Sequence, residues 1–107
     1  EIYKNAYAMG ICPSEGLDSP TEIGAQAANE LLGINGIKAS FVVTEYNGKI
    51  YISARSIDEV NVQIIMERLG GGGHMNIAGA QLTDTTPERA VFVVKETLNQ
   101  MLEEGAL

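Results

Sequence analysis

The stretch "IKASFVVTEYNGKIYISARS", residues 37 to 56, constrains the fold of this chain more than any other. Two β-rich runs flank Asn47-Gly48, the pair that favours a two-residue type I′ turn because both central residues take positive φ at little cost. That turn sets the pairing. Tyr46 falls opposite Lys49, Val43 opposite Ile52 and Phe41 opposite Ala54. Side chains alternate along a strand, so Phe41, Val43, Ile50, Ile52 and Ala54 share one buried face. Tyr51, Ser53 and Arg55 share the other.

Three helical patterns surround the hairpin. In the first, Ser19 is an N-cap, Pro20 suits the first helical position and Glu22 has capping-box spacing. Its apolar stripe is Ile23, Ala27, Ala28, Leu31 and Leu32, and Gly33 stops it. The second pattern is "SIDEVNVQIIMERLG", with Ser56 and Glu59 at capping-box spacing and Asp58 as a competing N-cap. Val62, Ile65, Met66 and Leu69 share one face of it, and Asn61 falls inside its first turns. The third runs from Thr86-Pro87 to a stop at Gly105, with Val91, Val94, Leu98, Met101 and Leu102 on one face. "YAMGICPS", ending its extended run at Pro13, and "AGAQLTD" have extended character, and "CPSEGLDSP" is a loop. The expected order is strand, helix, hairpin, helix, glycine loop, strand, helix. The fold class is α/β: a small mixed sheet with helices packed on it.

Composition limits the roles open to such a domain. With 107 residues, 45% of them apolar, the chain makes one domain with one core. It starts at a Glu, so it is expected to be a piece of a larger chain. No apolar run reaches the roughly 18 residues of a membrane span. The single cysteine, Cys12, excludes an internal disulfide and reads as a small buried apolar residue. Seven basic residues against fourteen acids, a net charge of −7, argue against an extended nucleic-acid track. An anionic ligand would have to be held by a few placed groups.

Two stretches supply such groups. "LGGGGHMNIAGA", residues 69 to 80, joins four glycines to the only histidine. Gly71, Gly72 and Gly73 let backbone approach a ligand, and successive N–H groups pointing into one concavity bind phosphate. His74 is able to donate to a phosphate oxygen or act as an acid. The spacing is neither a nucleotide P-loop nor a dinucleotide fingerprint. In "SARS", residues 53 to 56, Arg55 ends a strand and Ser56 opens a helix, combining a guanidinium fork with a helix N-terminus. Asn61 is an odd residue inside a helix and either reaches a ligand or bonds nearby backbone. One His, one Cys and scattered acids give no metal-ligand spacing.

The ordered run "ISARSIDEVNVQIIMERLGGGGHMNIAGAQL" resembles the DHH-associated C-terminal domain of the DHH phosphoesterases. The shared pattern is a strand ending in S-x-R-S, then V-N on a helix, then G-G-G-G-H. Within that superfamily the chain is most similar to the bacterial membrane-bound cyclic-di-AMP phosphodiesterases. The resemblance implies a parent that hydrolyses phosphodiesters with two divalent metals, manganese, held in a separate N-terminal DHH domain. The present chain lacks a D-H-H motif and is expected to be inactive alone. Arg55, Ser56 and Asn61 would contact the nucleotide, Gly71 to His74 would form the phosphate loop, and His74 would be catalytic. Partners implied are a small anionic nucleotide and the DHH domain, and a homodimer stays open. The domain would be cytoplasmic, on a parent anchored in the plasma membrane. Ile77 is bulkier than the alanine of relatives, which implies a loop shifted or adapted to a different base. A nanoRNA/pAp phosphatase or exonuclease, or a non-catalytic nucleotide-binding module, are the alternatives.

Overall fold

In the computed structural model, residues 1–13 and 19–107 are described. Most of the expected "CPSEGLDSP" loop thus lies outside them. The elements are β1 (Ile2–Tyr3), β2 (Tyr7–Cys12), α1 (Pro20–Leu31), β3 (Ala39–Tyr46), β4 (Lys49–Ser56), α2 (Val62–Glu67), β5 (Gly72–Gly73), β6 (Ile77–Leu82) and α3 (Pro87–Glu104). They form one six-stranded mixed sheet in the order β1-β2-β3-β4-β6-β5. Only β2 and β3 pair in parallel, joined through α1. No helix among the described residues is long and apolar enough to cross a membrane.

The hairpin forms in the expected register, with Tyr46 opposite Lys49, Val43 opposite Ile52 and Phe41 opposite Ala54. Asn47 (φ 53°) and Gly48 (φ 74°) both take the positive φ that a type I′ turn requires. Phe41, Val43, Ile50, Ile52 and Ala54 are buried against Val62, Ile65 and Met66 of α2 and Val94, Leu98 and Met101 of α3. On β3 the other face is buried too, at Ser40, Val42 and Thr44, because α1 covers it. The sheet is therefore a middle layer, with α1 on one side and α2 and α3 on the other.

Several local expectations change. Ile23 is exposed, and Pro20, Gly24 and Ala28 face the sheet instead. The helix lies so close that a Cβ at Gly24 would collide with Thr44 Oγ1, so any residue but glycine there forces a shift. Ser40 Oγ donates to Ala28 O at 2.6 Å across the same seam. Ser19 is the N-cap of α1 by position, but its side chain makes no capping bond. The second helix is much shorter than its pattern. Ser56 is the last residue of β4, and the helix begins at Val62 with Asn61 as N-cap, its Oδ1 accepting from Gln63 N (2.9 Å) and Ile64 N (3.3 Å). No helix N-terminus therefore stands beside Arg55. Asn61 is not a misplaced helix residue; its carboxamide satisfies donors that the first turn leaves open. β1 and β5 were not expected, and Gly72 and Gly73 form a strand rather than a loop.

These caps give a test. Asn61→Ala should cost about 1 kcal/mol, the usual worth of a side-chain cap, and lower the melting temperature by about 4–8 °C. Ser19→Ala should leave it unchanged, because no bond is lost. Urea or thermal unfolding of the two variants checks the contrast.

Candidate phosphate-binding face

Strand β4 carries Arg55 on the α1 side of the sheet. Arg55 lies opposite Ser40 on β3 and Ile77 on β6. Beyond Ile77 the ladder continues one step: His74 N donates to Ile77 O (2.7 Å) and Ile77 N to His74 O (3.3 Å). Paired residues project to the same face. Arg55, Ile77 and His74 thus stand in one cross-strand row, with Arg55 and His74 two strand spacings apart, about 10 Å. His74 is exposed, and Ile77 between them is 55% exposed.

Arg55 is held from the helix side. Its Nε donates to Asn29 Oδ1 of α1 at 3.1 Å and its Nη1 to Ala54 O at 2.8 Å. Burial pushes the guanidinium below its usual value, but it stays cationic. No carboxylate neutralises it among the described residues; the ion pairs there are Arg68–Glu104 and Lys95–Glu1. A shallow cleft of about 390 Å³ opens on the same face, between Thr21, Tyr51, Ser53, Gly71, Gly79 and Gln81. A larger cavity, about 440 Å³ between β2 and α3, holds none of the candidate residues.

Ser56 and Asn61 do not join this row. Ser56 is 5% exposed, and its hydroxyl donates to Val60 O at 2.6 Å and accepts from Asn76 Nδ2 at 3.0 Å. It is committed inside the fold, so the phosphate contact expected of it is not what the structure presents. Asn61 lines a separate cavity with Tyr7 and Leu102, on the α3 side.

The glycine run is also built differently from a nest. Gly70 N donates to Glu67 O (3.1 Å) and Gly71 N to Met66 O (2.9 Å), closing the end of α2. His74 and Ile77 exchange both bonds, so by ladder alternation the Gly72–Gly79 pair is bonded and the Gly73–Ala78 pair is not. The Gly73 N–H then points away from β6, at the open edge of the sheet. One outward donor replaces the expected series. A Cβ at Gly71 would collide with Gly79 O and lie 2.7 Å from Ala80 Cα, and one at Gly73 (φ 142°) would lie 2.6 Å from Ala78 Cα. Gly70 turns with φ 85°. Only Gly72 meets nothing and needs no special φ.

Two contributors were missed. Asn29 gave no signal, because its partner lies 26 residues away. Asn76 follows the histidine in a polar turn position, a hint that spacing alone does not decode. For metals, the described residues hold no group of three or more His, Cys, Asp or Glu able to bind an ion. They do not fit the two-metal site that the resemblance implies.

The DHHA1 domain family matches residues 7–104. The chain belongs to that family. Among relatives, the cyclic-di-AMP phosphodiesterase GdpP of Geobacillus thermodenitrificans is 49% identical over 82 residues, 76% of this chain and 12% of that protein. GdpP of Bacillus subtilis is 44% identical over 106 residues, 97% of this chain and 16% of that protein. This DHHA1 domain therefore spans only 12–16% of the length of these two relatives. A solved exopolyphosphatase-related protein from Bacteroides fragilis superposes with a TM-score of 0.81 at 25% identity, over 94% of this chain and 31% of that one.

The glycines of the DHHA1 domain separate by substitution. Gly71→Ala should destabilise by about 1–3 kcal/mol, the cost of overpacking, since backbone has to move. Gly72→Ala should be neutral or stabilising by up to about 1 kcal/mol. Melting temperatures of the two variants check this.

Proposed function

We propose that this DHHA1 domain holds the substrate of a DHH-family phosphodiesterase that acts on cyclic-di-AMP or a related dinucleotide. Arg55 carries the reading. In a chain of net charge −7, it is a part-buried guanidinium whose bonds among the described residues go to neutral oxygens, in one row with the sole histidine. A cation withdrawn from water without a counter-charge is costly until an anion arrives. The identity to the two GdpP proteins favours a cyclic dinucleotide as that anion.

Arg55 bonds a non-bridging phosphate oxygen through the donors it has left, with charge-assisted geometry. His74 donates to the scissile phosphate and protonates the leaving oxygen as general acid. The apolar side chain of Ile77 underlies the sugar or base between them. The acidic surface suits a short ligand, since long polyanions are bound by basic tracks. These residues bind, orient and deliver a proton. The two divalent metals, and the DHH domain that would carry them, are expected from other residues.

The test is hydrolysis of cyclic-di-AMP, pApA and pAp by the intact enzyme. His74→Ala should lower kcat by about 10²–10⁴, the usual share of a general acid. Arg55→Ala should raise KM by roughly tenfold to a hundredfold, as for loss of a bond to a charged group. Turnover of pAp with cyclic-di-AMP untouched would move the substrate to the pAp class. Normal kinetics in both variants would remove the site.

A further inference from the structure

His74 sits at one edge of the sheet, where the pairing is short. It follows a two-residue edge strand made of glycines, and only Met75 and Asn76 separate it from its ladder partner Ile77. Glycine strands pack no side chains and order at high entropic cost. Left to itself, such a tip would not hold an imidazole in a fixed place.

The tip is tied down from the other side. Asn76 Nδ2 donates to Ser56 Oγ at 3.0 Å and to Asp58 O at 3.4 Å. Ser56 N donates to Asn76 O at 3.0 Å, and Val62 N to Met75 O at 2.8 Å. Ser56 Oγ in turn donates to Val60 O at 2.6 Å. Four of these bonds join the turn after His74 to the connection between β4 and α2, and the fifth braces that connection internally. That connection starts at the residue next to Arg55. The two ends of the candidate row are fastened to each other through Ser56 and Asn76.

We infer that Asn76 is a positioning residue, whose carboxamide fixes His74 relative to the phosphate held by Arg55. Its side chain contacts neither phosphate nor base; it acts through the place of the imidazole. Among the tip's ties it is the one made by an exposed side chain, so it can be removed without opening the core. This inference rests on the function proposed above, because it presumes that His74 acts on a phosphate.

The experiment compares Asn76→Ala, the near-isosteric Asn76→Asp, His74→Ala and the Asn76→Ala/His74→Ala double variant in the intact enzyme, with cyclic-di-AMP. Misplacement of a reacting group by about 1 Å costs on the order of a hundredfold. Both Asn76 variants should therefore lower kcat by about tenfold to a hundredfold, with KM within about twofold and the melting temperature nearly unchanged. In the His74→Ala background, Asn76→Ala should have no further effect, because the two act as one unit. Wild-type kcat in both Asn76 variants would overturn the inference. So would a loss that persists undiminished without His74, which marks a general structural role. A silent His74→Ala would remove the catalytic role of His74 and this inference with it, while a raised KM in Arg55→Ala would leave the substrate-binding reading standing.

Discussion

Strand β4 is hydrogen-bonded along both edges, to β3 and to β6, and its register decides which side chains share each face of the sheet. A slip by one residue would turn Ile50, Ile52 and Ala54 to the α1 side and drive Arg55 into the apolar core. Burying an unpaired guanidinium there would cost several kcal/mol, as would exposing the apolar face that α2 and α3 cover. The Asn47-Gly48 turn and the core thus enforce the same alignment. The candidate face is a by-product of that agreement.

From this register the geometry of the face follows. Arg55 meets Ile77, Ile77 meets His74, and Asn29 reaches down from α1 to orient the guanidinium. The glycines serve this arrangement mainly through close backbone packing. Gly71 and Gly73 let β5 lie against β6, which brings the histidine into the row. Ser56 and Asn76 then lock the tip. The position of His74 therefore depends on contacts from β4, α2 and β6, and little on its own two-residue strand.

Much of this was legible in the order of residues. The hairpin, the buried alternation of β4 and the third helix, capped by Thr86 and ended by Gly105, are local patterns. So was the candidacy of Arg55 and His74, since a lone histidine after four glycines and an arginine ending a strand are unusual in so acidic a chain. Misreadings clustered where one residue type serves two purposes. Ser56 looks like an N-cap but ends a strand, because pairing with Ala39 of β3 carries β4 to Ser56 and the helix starts only after Asn61. The glycines look like a phosphate nest, but Gly70 and Gly71 close α2, Gly72 pairs with β6, and only the Gly73 N–H points outward.

Residue order alone determined the turn and the alternation and nominated Arg55 and His74 as the candidate groups, because those depend on neighbours along the chain. The convergence of Arg55 and His74, the tether from Asn76 and the support from Asn29 depend on contacts between residues 20 to 26 positions apart. Such contacts exist only after the sheet has closed and its register has been selected by burial. Only then do an arginine and a histidine from different strands stand on one face.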